Sequence, residues 1–344
     1  NGSDIRGVAI EGVEGEDVTL TANSAAKIGK AFVEWFCKRT GKKAENLKIG
    51  LGRDSRITGP SLLNAMSCGI LSCGASVVRC ELATTPAMFM SIVFEQTKFD
   101  ASAMITASHL PFNRNGIKLF NADGGLEHDD ITEILEIAAE ISDDDADNIL
   151  DKLLEKSNDA PRFDLLSVYA EHLKAAIVKG CGNEKPLTGL HIVVDSGNGA
   201  SGFFVDKILQ PLGANTEGSQ FLEPDGMFPN HIPNPENKEA MKAIQEAVLE
   251  NKADLGLIFD TDVDRMSAVF ADGSEINRDS IIALISAILA PEYPGSTIIT
   301  DSVTSDRLTY FLQEVLGLKH LCYMRGYKNV INKQKELNAK GEVS

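Results

Sequence analysis

Apolar residues recur along this chain in two periods, and the two alternate. At residues 24–38, Ala25, Ile28, Phe32, Trp35 and Phe36 fall at helical spacing and predict an amphipathic helix whose aromatic stripe belongs to a core. Short apolar runs at 48–51, 101–105, 190–194, 255–259, 266–270 and 297–300 read as strands, and residues 117–120 resume an extended pattern. Between them, residues 59–74, 127–147, 164–179 and 201–212 read as helices, the first with Pro60 in a first-turn position. Residues 152–159 are polar and predict a linker, and the Pro- and Gly-rich stretch 221–235 predicts an irregular loop. Residues 333–340 are polar and helical, with Gly341 as their stop. Strands alternating with helices in this way predict an α/β fold with mixed sheets between helices.

Three of the strands end alike. Residues 48–51 run into Arg53-Asp54-Ser55, 190–194 into Asp195-Ser196, and 297–300 into Asp301-Ser302, each followed by a helical pattern. The chain has 344 residues, more than one typical core. The linker near residue 158 and the start of a further unit near 274 divide it into three units, residues 1–158, 159–273 and 274–344, and the repeated strand ends support their being related.

Composition narrows the class of partner. The longest predominantly apolar stretch, residues 281–290, is too short to cross a bilayer. A net charge of −17 argues against nucleic acid or an anionic membrane as partner. Any phosphate ligand must then be met locally, by clustered Arg and Lys, helix N-termini and a bound cation. Cys37, Cys68, Cys73, Cys80, Cys181 and Cys322 follow no CxxC or Cys/His spacing. They predict reduced thiols without zinc, and the absence of a basic-then-apolar leader agrees with a cytoplasmic location.

Two stretches carry the candidate chemistry. The first, residues 106–118, reads Thr-Ala-Ser-His-Leu-Pro-Phe-Asn-Arg-Asn-Gly-Ile-Lys and follows the strand 101–105. Pro111 cannot continue a central strand, so Ser108 and His109 are expected on a loop. Asn115-Gly116 predicts a hairpin turn that brings Lys118 back within reach of Ser108. A capping serine and a solvated lysine on a surface hairpin would satisfy the same residues. In the second stretch, the apolar strand 255–259 ends in Asp260-Thr261-Asp262-Val263-Asp264-Arg265. Three carboxylates at alternate positions converge only if positive charge offsets their repulsion, and oxygen ligands at that spacing suit Mg²⁺. An EF-hand is excluded, because its sixth position would be Arg265 and its twelfth Ala271. The corner Gly52-Arg53-Asp54-Ser55-Arg56, between a strand and a helix, adds cationic donors.

These motifs resemble the α-D-phosphohexomutase superfamily. The first is similar to its phosphoserine loop, Thr-[Ala/Gly]-Ser-His-Asn-Pro followed by Asn-Gly-x-Lys, with Leu110 in place of Asn. The second is similar to its metal loop, Asp-Gly-Asp-Gly-Asp-Arg, with Thr261 and Val263 in place of the glycines. Those two replacements predict a stiffer loop whose backbone avoids positive φ. Residues 1–7, Gly52–Arg56, Asp195–Gly199, the 221–235 loop and Met324–Lys328 resemble further family segments. His231, inside the 221–235 loop, is expected to be a structural histidine satisfied by backbone.

The resemblance implies three consecutive α/β/α domains sharing one cleft, and a fourth domain that this sequence does not include. It implies reversible phosphoryl transfer between C1 and C6 of a glucose or mannose phosphate through a hexose 1,6-bisphosphate. Ser108 would carry the phosphate and also face the Mg²⁺ held by Asp260, Asp262 and Asp264. Lys118 would handle a proton, with His109 and Arg6 beside it. Arg53, Arg56, Arg265, Arg325, Gly326 and Lys328 would bind substrate and phosphate. The implied partner is a hexose phosphate, and the implied state a monomer or weak dimer. Two other readings remain at this point. One is a haloacid-dehalogenase-like, Mg²⁺-dependent phosphatase with Asp260 as nucleophile, and the other a non-catalytic phosphosugar-binding module.

Overall fold

Thr21 and Ser24 start the first helix with a capping box: the Thr21 N–H donates to Ser24 Oγ at 2.8 Å and the Ser24 N–H to Thr21 Oγ1 at 3.1 Å. The computed structural model describes residues 4–344, apart from the side chain of Tyr327. Asn1-Gly2-Ser3, the opening of the N-terminal motif, lies outside the described residues. Helix α1 (Ala22–Thr40) ends on Gly41 in the left-handed region, and Ala25, Ile28, Phe32, Trp35 and Phe36 are all buried, as their spacing predicts.

The chain packs into two compact units, one reaching Ser274 and the other Glu275–Ser344. In the first, β1 (Ile5–Val8), β2 (Lys48–Arg53), β3 (Ser76–Leu82), β4 (Ala101–Ile105) and β5 (Arg114–Asn121) form a sheet in the order β1-β5-β4-β2-β3, with β6 (Gly124–Gly125) against β5. Strands β2, β3 and β4 run parallel, and β5 is antiparallel to both β4 and β1. One face is covered by α1, α2 (Gly59–Ser72), α4 (His128–Ala139) and α5 (Asp143–Asn158), and the other by α3 (Thr85–Val93) and α6 (Leu165–Cys181). A smaller mixed sheet follows, with β7 (Ile192–Asp195) parallel to β8 (Leu255–Phe259) and β9 (Met266–Phe270) antiparallel to it. Helix α7 (Lys238–Asn251) packs Ala240, Ile244 and Val248 on one side of it.

Phe203, Ile208 and Leu212 join Met88, Met104, Leu165 and Phe120 in one cluster, so the two sheets of this unit share core. The carboxyl ends of β4 and β8 thereby become fixed neighbours. The expected α/β alternation into mixed sheets is what forms.

Three local expectations change. Residues 152–159 are no linker. They complete α5, whose N-cap Ser142 accepts from Asp145 N, and Ser157, near the helix end, is buried with its Oγ on the Asn64 carbonyl at 3.0 Å. Asn115-Gly116 is no turn, since both residues pair with β1 inside β5. A Cβ on Gly116 would meet the Ile5 carbonyl at 2.5 Å and the Thr106 carbonyl at 2.7 Å, so close backbone approach is what the glycine serves. Residues 201–212 hold a short helical segment, Val205–Leu209, with the wider i→i+5 bond from Gln210 N to Val205 O.

The second unit contains α8 (Arg278–Leu289), β10 (Thr297–Asp301) parallel to β11 (Lys319–Tyr323), α9 (Asp306–Tyr310) and α10 (Tyr327–Ala339) around Leu308, Leu312 and Leu318. Among the described residues no helix is long and apolar enough to cross a membrane.

Candidate active site

β4 ends at Ile105, and the chain leaves the sheet only after Thr106 N has bonded to the Gly116 carbonyl at 2.9 Å. Thr106 Oγ1 accepts from Ser108 N at 2.8 Å and helps hold Ser108 at φ +53°. A non-glycine residue pays about 1–2 kcal/mol for that left-handed backbone, so the surroundings must impose it. Arg56 does most of this. Its buried guanidinium donates through Nη2 to the carbonyls of Ser108 (2.5 Å) and Leu110 (2.6 Å), and through Nη1 to those of Pro111 (2.7 Å) and Arg114 (2.8 Å). Asp54 lies 3.3 Å from its Nε, and the Phe228 ring lies under it at 5.3 Å. The sequence placed Arg56 among the phosphate ligands. The structure commits it instead to the backbone of the Ser108 loop.

The carboxylate loop at the end of β8 is wound around Asp260. Asp260 Oδ1 accepts from the N–H groups of Asp264 and Arg265, both at 3.1 Å. Its Oδ2 accepts from Ser108 Oγ (2.8 Å), Arg265 Nε (3.0 Å) and Arg265 Nη2 (2.7 Å). Val263 sits at φ +65°, contrary to the expectation that a β-branched residue here keeps the loop out of that region. Its side chain is buried with Val194, Ala200 and Phe259, and that burial offsets the backbone cost. From below, Ala200 N donates to the Thr261 carbonyl at 2.9 Å. A Cβ on Gly199 would lie 2.9 Å from Thr261 Cα, so the Ser-Gly-Asn-Gly turn acts as a close backbone support for this loop.

Lys118 and Thr85 complete the cluster. Lys118 Nζ reaches Asp262 Oδ2 at 2.7 Å and Asp264 Oδ2 at 2.6 Å. Thr85, at the start of α3, donates its hydroxyl to Asp262 Oδ2 at 2.5 Å. Arg265 Nη2 reaches Ser108 Oγ at 2.5 Å and donates to His109 Nδ1 at 2.6 Å. One cation thus spans Asp260, the serine and the imidazole.

The electrostatics follow from burial and pairing. Burial and repulsion from Asp262 and Asp264 push the Asp260 carboxyl well up, against Arg265 and Ser108. Burial would also raise Asp262, but Lys118 and the hydroxyl of Thr85 overcome it and hold Asp262 at about 2. Lys118 is raised, because the two aspartates outweigh its burial, and it stands in the site as an ammonium. His109 is lowered by burial and by Arg265, and is neutral near pH 7.

Ligand oxygens of Asp260, Asp262 and Asp264 lie within 4.8 Å of one another. Asp262 Oδ1 is buried and has no hydrogen-bond partner among the described residues. Three carboxylates against two nearby cations leave negative charge for a hard divalent ion such as Mg²⁺, so the donor set fits one.

Residues 1–145 match the family model of phosphoglucomutase/phosphomannomutase alpha/beta/alpha domain I, and residues 167–273 that of alpha/beta/alpha domain II. The chain belongs to the phosphoglucomutase/phosphomannomutase family. The phosphomannomutase/phosphoglucomutase of Pseudomonas aeruginosa PAO1 is 30% identical over 341 residues, which cover 98% of this chain and 68% of that protein. The phosphoglucomutase of Neisseria gonorrhoeae is 31% identical over 307 residues, 89% of this chain and 61% of that protein. This chain therefore matches 61% to 68% of those relatives' length. A crystal structure of a phosphoglucomutase/phosphomannomutase family protein from Burkholderia thailandensis superposes with a TM-score of 0.77 at 26% identity, over 98% of this chain and 68% of that one.

Within this chain, Ser108, His109, Lys118, Asp260, Asp262, Asp264 and Arg265 form one contiguous network. Arg6, on β1, donates to Asp4 at 2.8 Å, and its charge is felt at His109 and Arg56. Arg53 ends β2 and donates to the Asp54 carbonyl at 3.0 Å. Arg325, Gly326 and Lys328 belong to the second unit, where Gly326 (φ +119°) caps the start of α10. Thr85 was not anticipated. Thr84-Thr85-Pro86 signals a helix start, but nothing local says what the second hydroxyl faces.

His231 has the backbone partner expected of it and a second one that was not. Its Nδ1 donates to the Ile232 carbonyl at 3.0 Å and its Nε2 to Asp195 at 3.0 Å. With acceptors on both sides, both nitrogens carry protons. Burial would lower its pKa, yet the bond to Asp195 and its charge, with Ile232 O and Glu239 adding, raise it. Stability from this pair is thus complete below the histidine's unfolded pKa and is lost as pH rises through the higher folded value. Denaturant midpoints measured from pH 5 to 9 should fall over that window in wild type and be flatter in His231→Gln.

Proposed function

We propose that this chain carries the phosphoserine and metal centre of a phosphohexomutase, transferring a phosphoryl group reversibly between C1 and C6 of a glucose or mannose phosphate through a hexose 1,6-bisphosphate. The observation that carries the reading is at Ser108. Its Oγ is held 2.8 Å from Asp260 Oδ2 and 2.5 Å from Arg265 Nη2, at a strained strand end beside three carboxylates. A solvated hairpin serine would have none of these partners. Family membership does not favour the phosphatase alternative. Residues 1–158 would bear the phosphoserine, 159–273 the metal loop, and 274–344 sugar recognition through Arg325, Gly326 and Lys328.

In the first transfer the bond between phosphorus and Ser108 Oγ breaks and a bond to a sugar hydroxyl oxygen forms, the hydroxyl proton ending on Oγ. In the second, the phosphorus–oxygen bond at the other sugar position breaks and the bond to Ser108 Oγ re-forms, the proton returning to the sugar. Arg265, already on Ser108 Oγ, offsets charge on that oxygen as the bond breaks. Asp260 fixes both Arg265 and the serine, so the donor is in place before the step. Lys118, held as an ammonium by Asp262 and Asp264, is the charge partner through which that proton passes: it gives one to Ser108 Oγ and takes one back from the sugar hydroxyl, ending as the ammonium it began. Arg6 and Arg53 add positive charge for the distal phosphate. Mg²⁺ held by Asp260, Asp262 and Asp264 would neutralise phosphoryl oxygens as a Lewis acid.

Incubation with glucose 1,6-bisphosphate and Mg²⁺, followed by intact-mass and peptide analysis, should place one phosphate on Ser108 and none on Ser108→Ala. Phosphate on Asp260 would favour the phosphatase reading. An unmodified protein would overturn the mutase reading.

A further inference from the structure

The middle carboxylate of the cluster is gripped from outside its own loop. Thr85 begins α3, next to the N-cap Thr84, whose side chain accepts from Ala87 N at 3.2 Å. Thr85 meets Asp262 twice. Its N–H donates to the Asp262 carbonyl at 2.9 Å, and its hydroxyl donates to Asp262 Oδ2 at 2.5 Å. The hydroxyl proton is committed to the carboxylate, which leaves the Thr85 Oγ1 lone pairs for Lys118 Nζ at 3.5 Å. Lys118 itself occupies the same Oδ2 at 2.7 Å. Two donors converge on one oxygen of Asp262, and the other oxygen, Oδ1, is buried with no hydrogen-bond partner among the described residues.

We infer that Thr85 is a positioning residue for the metal centre: its hydroxyl fixes the Asp262 carboxylate so that Oδ1 is presented as the ligand atom. The inference rests on the proposed Mg²⁺ site. A carboxylate free to rotate would offer either oxygen, and Lys118 alone, on a flexible stem shared with Asp264, does not remove that freedom. Thr85 does, because its position is set by a capped helix and by its own backbone bond to Asp262. Hydrogen bonds from outside the ligand shell commonly change metal affinity by about 10–100-fold.

Calorimetric Mg²⁺ titration of wild type, Thr85→Val, Thr85→Ser and Asp262→Ala tests this without any turnover. Valine keeps the shape and the backbone N–H but has no hydroxyl. Thr85→Val should weaken Mg²⁺ binding about 10-fold or more, Thr85→Ser should restore it, and thermal melting should show both folded. A purely structural tie would lower the melting temperature and leave the affinity unchanged. Wild-type affinity in Thr85→Val, with binding lost in Asp262→Ala, overturns the inference and leaves the metal reading standing. Undiminished affinity in Asp262→Ala overturns the metal reading itself. If Thr85→Val fails to fold, the comparison passes to Thr85→Ala and Thr85→Ser, and equal affinity in those two overturns the inference.

Discussion

Asp260→Asn should slow phosphorylation of Ser108 by about 1,000-fold while leaving a folded protein, although the change removes no atom from the backbone's surroundings. Both oxygens of Asp260 accept from donors alone: two backbone N–H groups on Oδ1, and Ser108 Oγ with two guanidinium nitrogens on Oδ2. An amide has one acceptor and one donor end, so either orientation turns an NH₂ toward N–H groups. Facing Oδ2's partners, it displaces Arg265 from the serine. Facing Oδ1's, it opens the turn that carries Asp264. Either way the transferring oxygen loses a prepositioned cation and the metal cluster loses a charge. Leaving donors unmatched at a buried site costs about 1–3 kcal/mol each, a sizeable part of a domain's stability but not all of it. The readouts are the rate of phosphate incorporation from glucose 1,6-bisphosphate and the denaturant midpoint. A wild-type rate in folded Asp260→Asn would remove Asp260 from the reaction and shift attention to Asp264.

Strands β2, β4, β8, β9 and β10 and helices α1, α2 and α6 were legible because period alone fixes them, whereas β3, β11, α3, α7 and α8 were not read and the end of α5 was taken for a linker. The two loops of the site were legible as chemistry, since Pro111 forces Ser108 off its strand and three alternate aspartates demand a cation. What the sequence could not show is which donor faces which acceptor across long separations. Arg56 stands 52 residues from the Ser108 carbonyl it holds, and Thr85 stands 177 from Asp262. Nothing in Gly-Arg-Asp-Ser-Arg distinguishes an arginine pointing at phosphate from one turned inward. Asn115-Gly116 misled for a related reason. The dipeptide signals a turn when glycine is chosen for positive φ, but Gly116 is chosen because two carbonyls leave no room for a Cβ. Val263 shows the converse: burial can hold a β-branched residue in a backbone region that propensity alone forbids.

Arg56→Met should destabilise the first unit by about 3–5 kcal/mol and abolish phosphorylation of Ser108 in whatever fraction stays folded. Methionine fills a similar volume, so the loss is one of donors and charge rather than of space. Four carbonyls, those of Ser108, Leu110, Pro111 and Arg114, lose the guanidinium that ties them together. Asp54, fully buried, loses the cation beside it. Ser108 then keeps only its N–H bond to Thr106 Oγ1 to hold φ at +53°, and relaxation of that residue moves its Oγ away from Asp260 and Arg265. Arg56→Lys separates the two consequences. An ammonium keeps the charge near Asp54 but has three donors on one atom, and cannot serve four carbonyls spread around a planar fork. The lysine variant should therefore recover much of the stability while phosphorylating Ser108 at least about 10-fold more slowly than wild type, because a small misplacement of a reacting oxygen is costly. Chemical denaturation and the rate of phosphate incorporation, read on the same samples, check both halves. Full activity in a folded Arg56→Lys protein would mean that the loop holds its own shape, and that Arg56 serves the core alone.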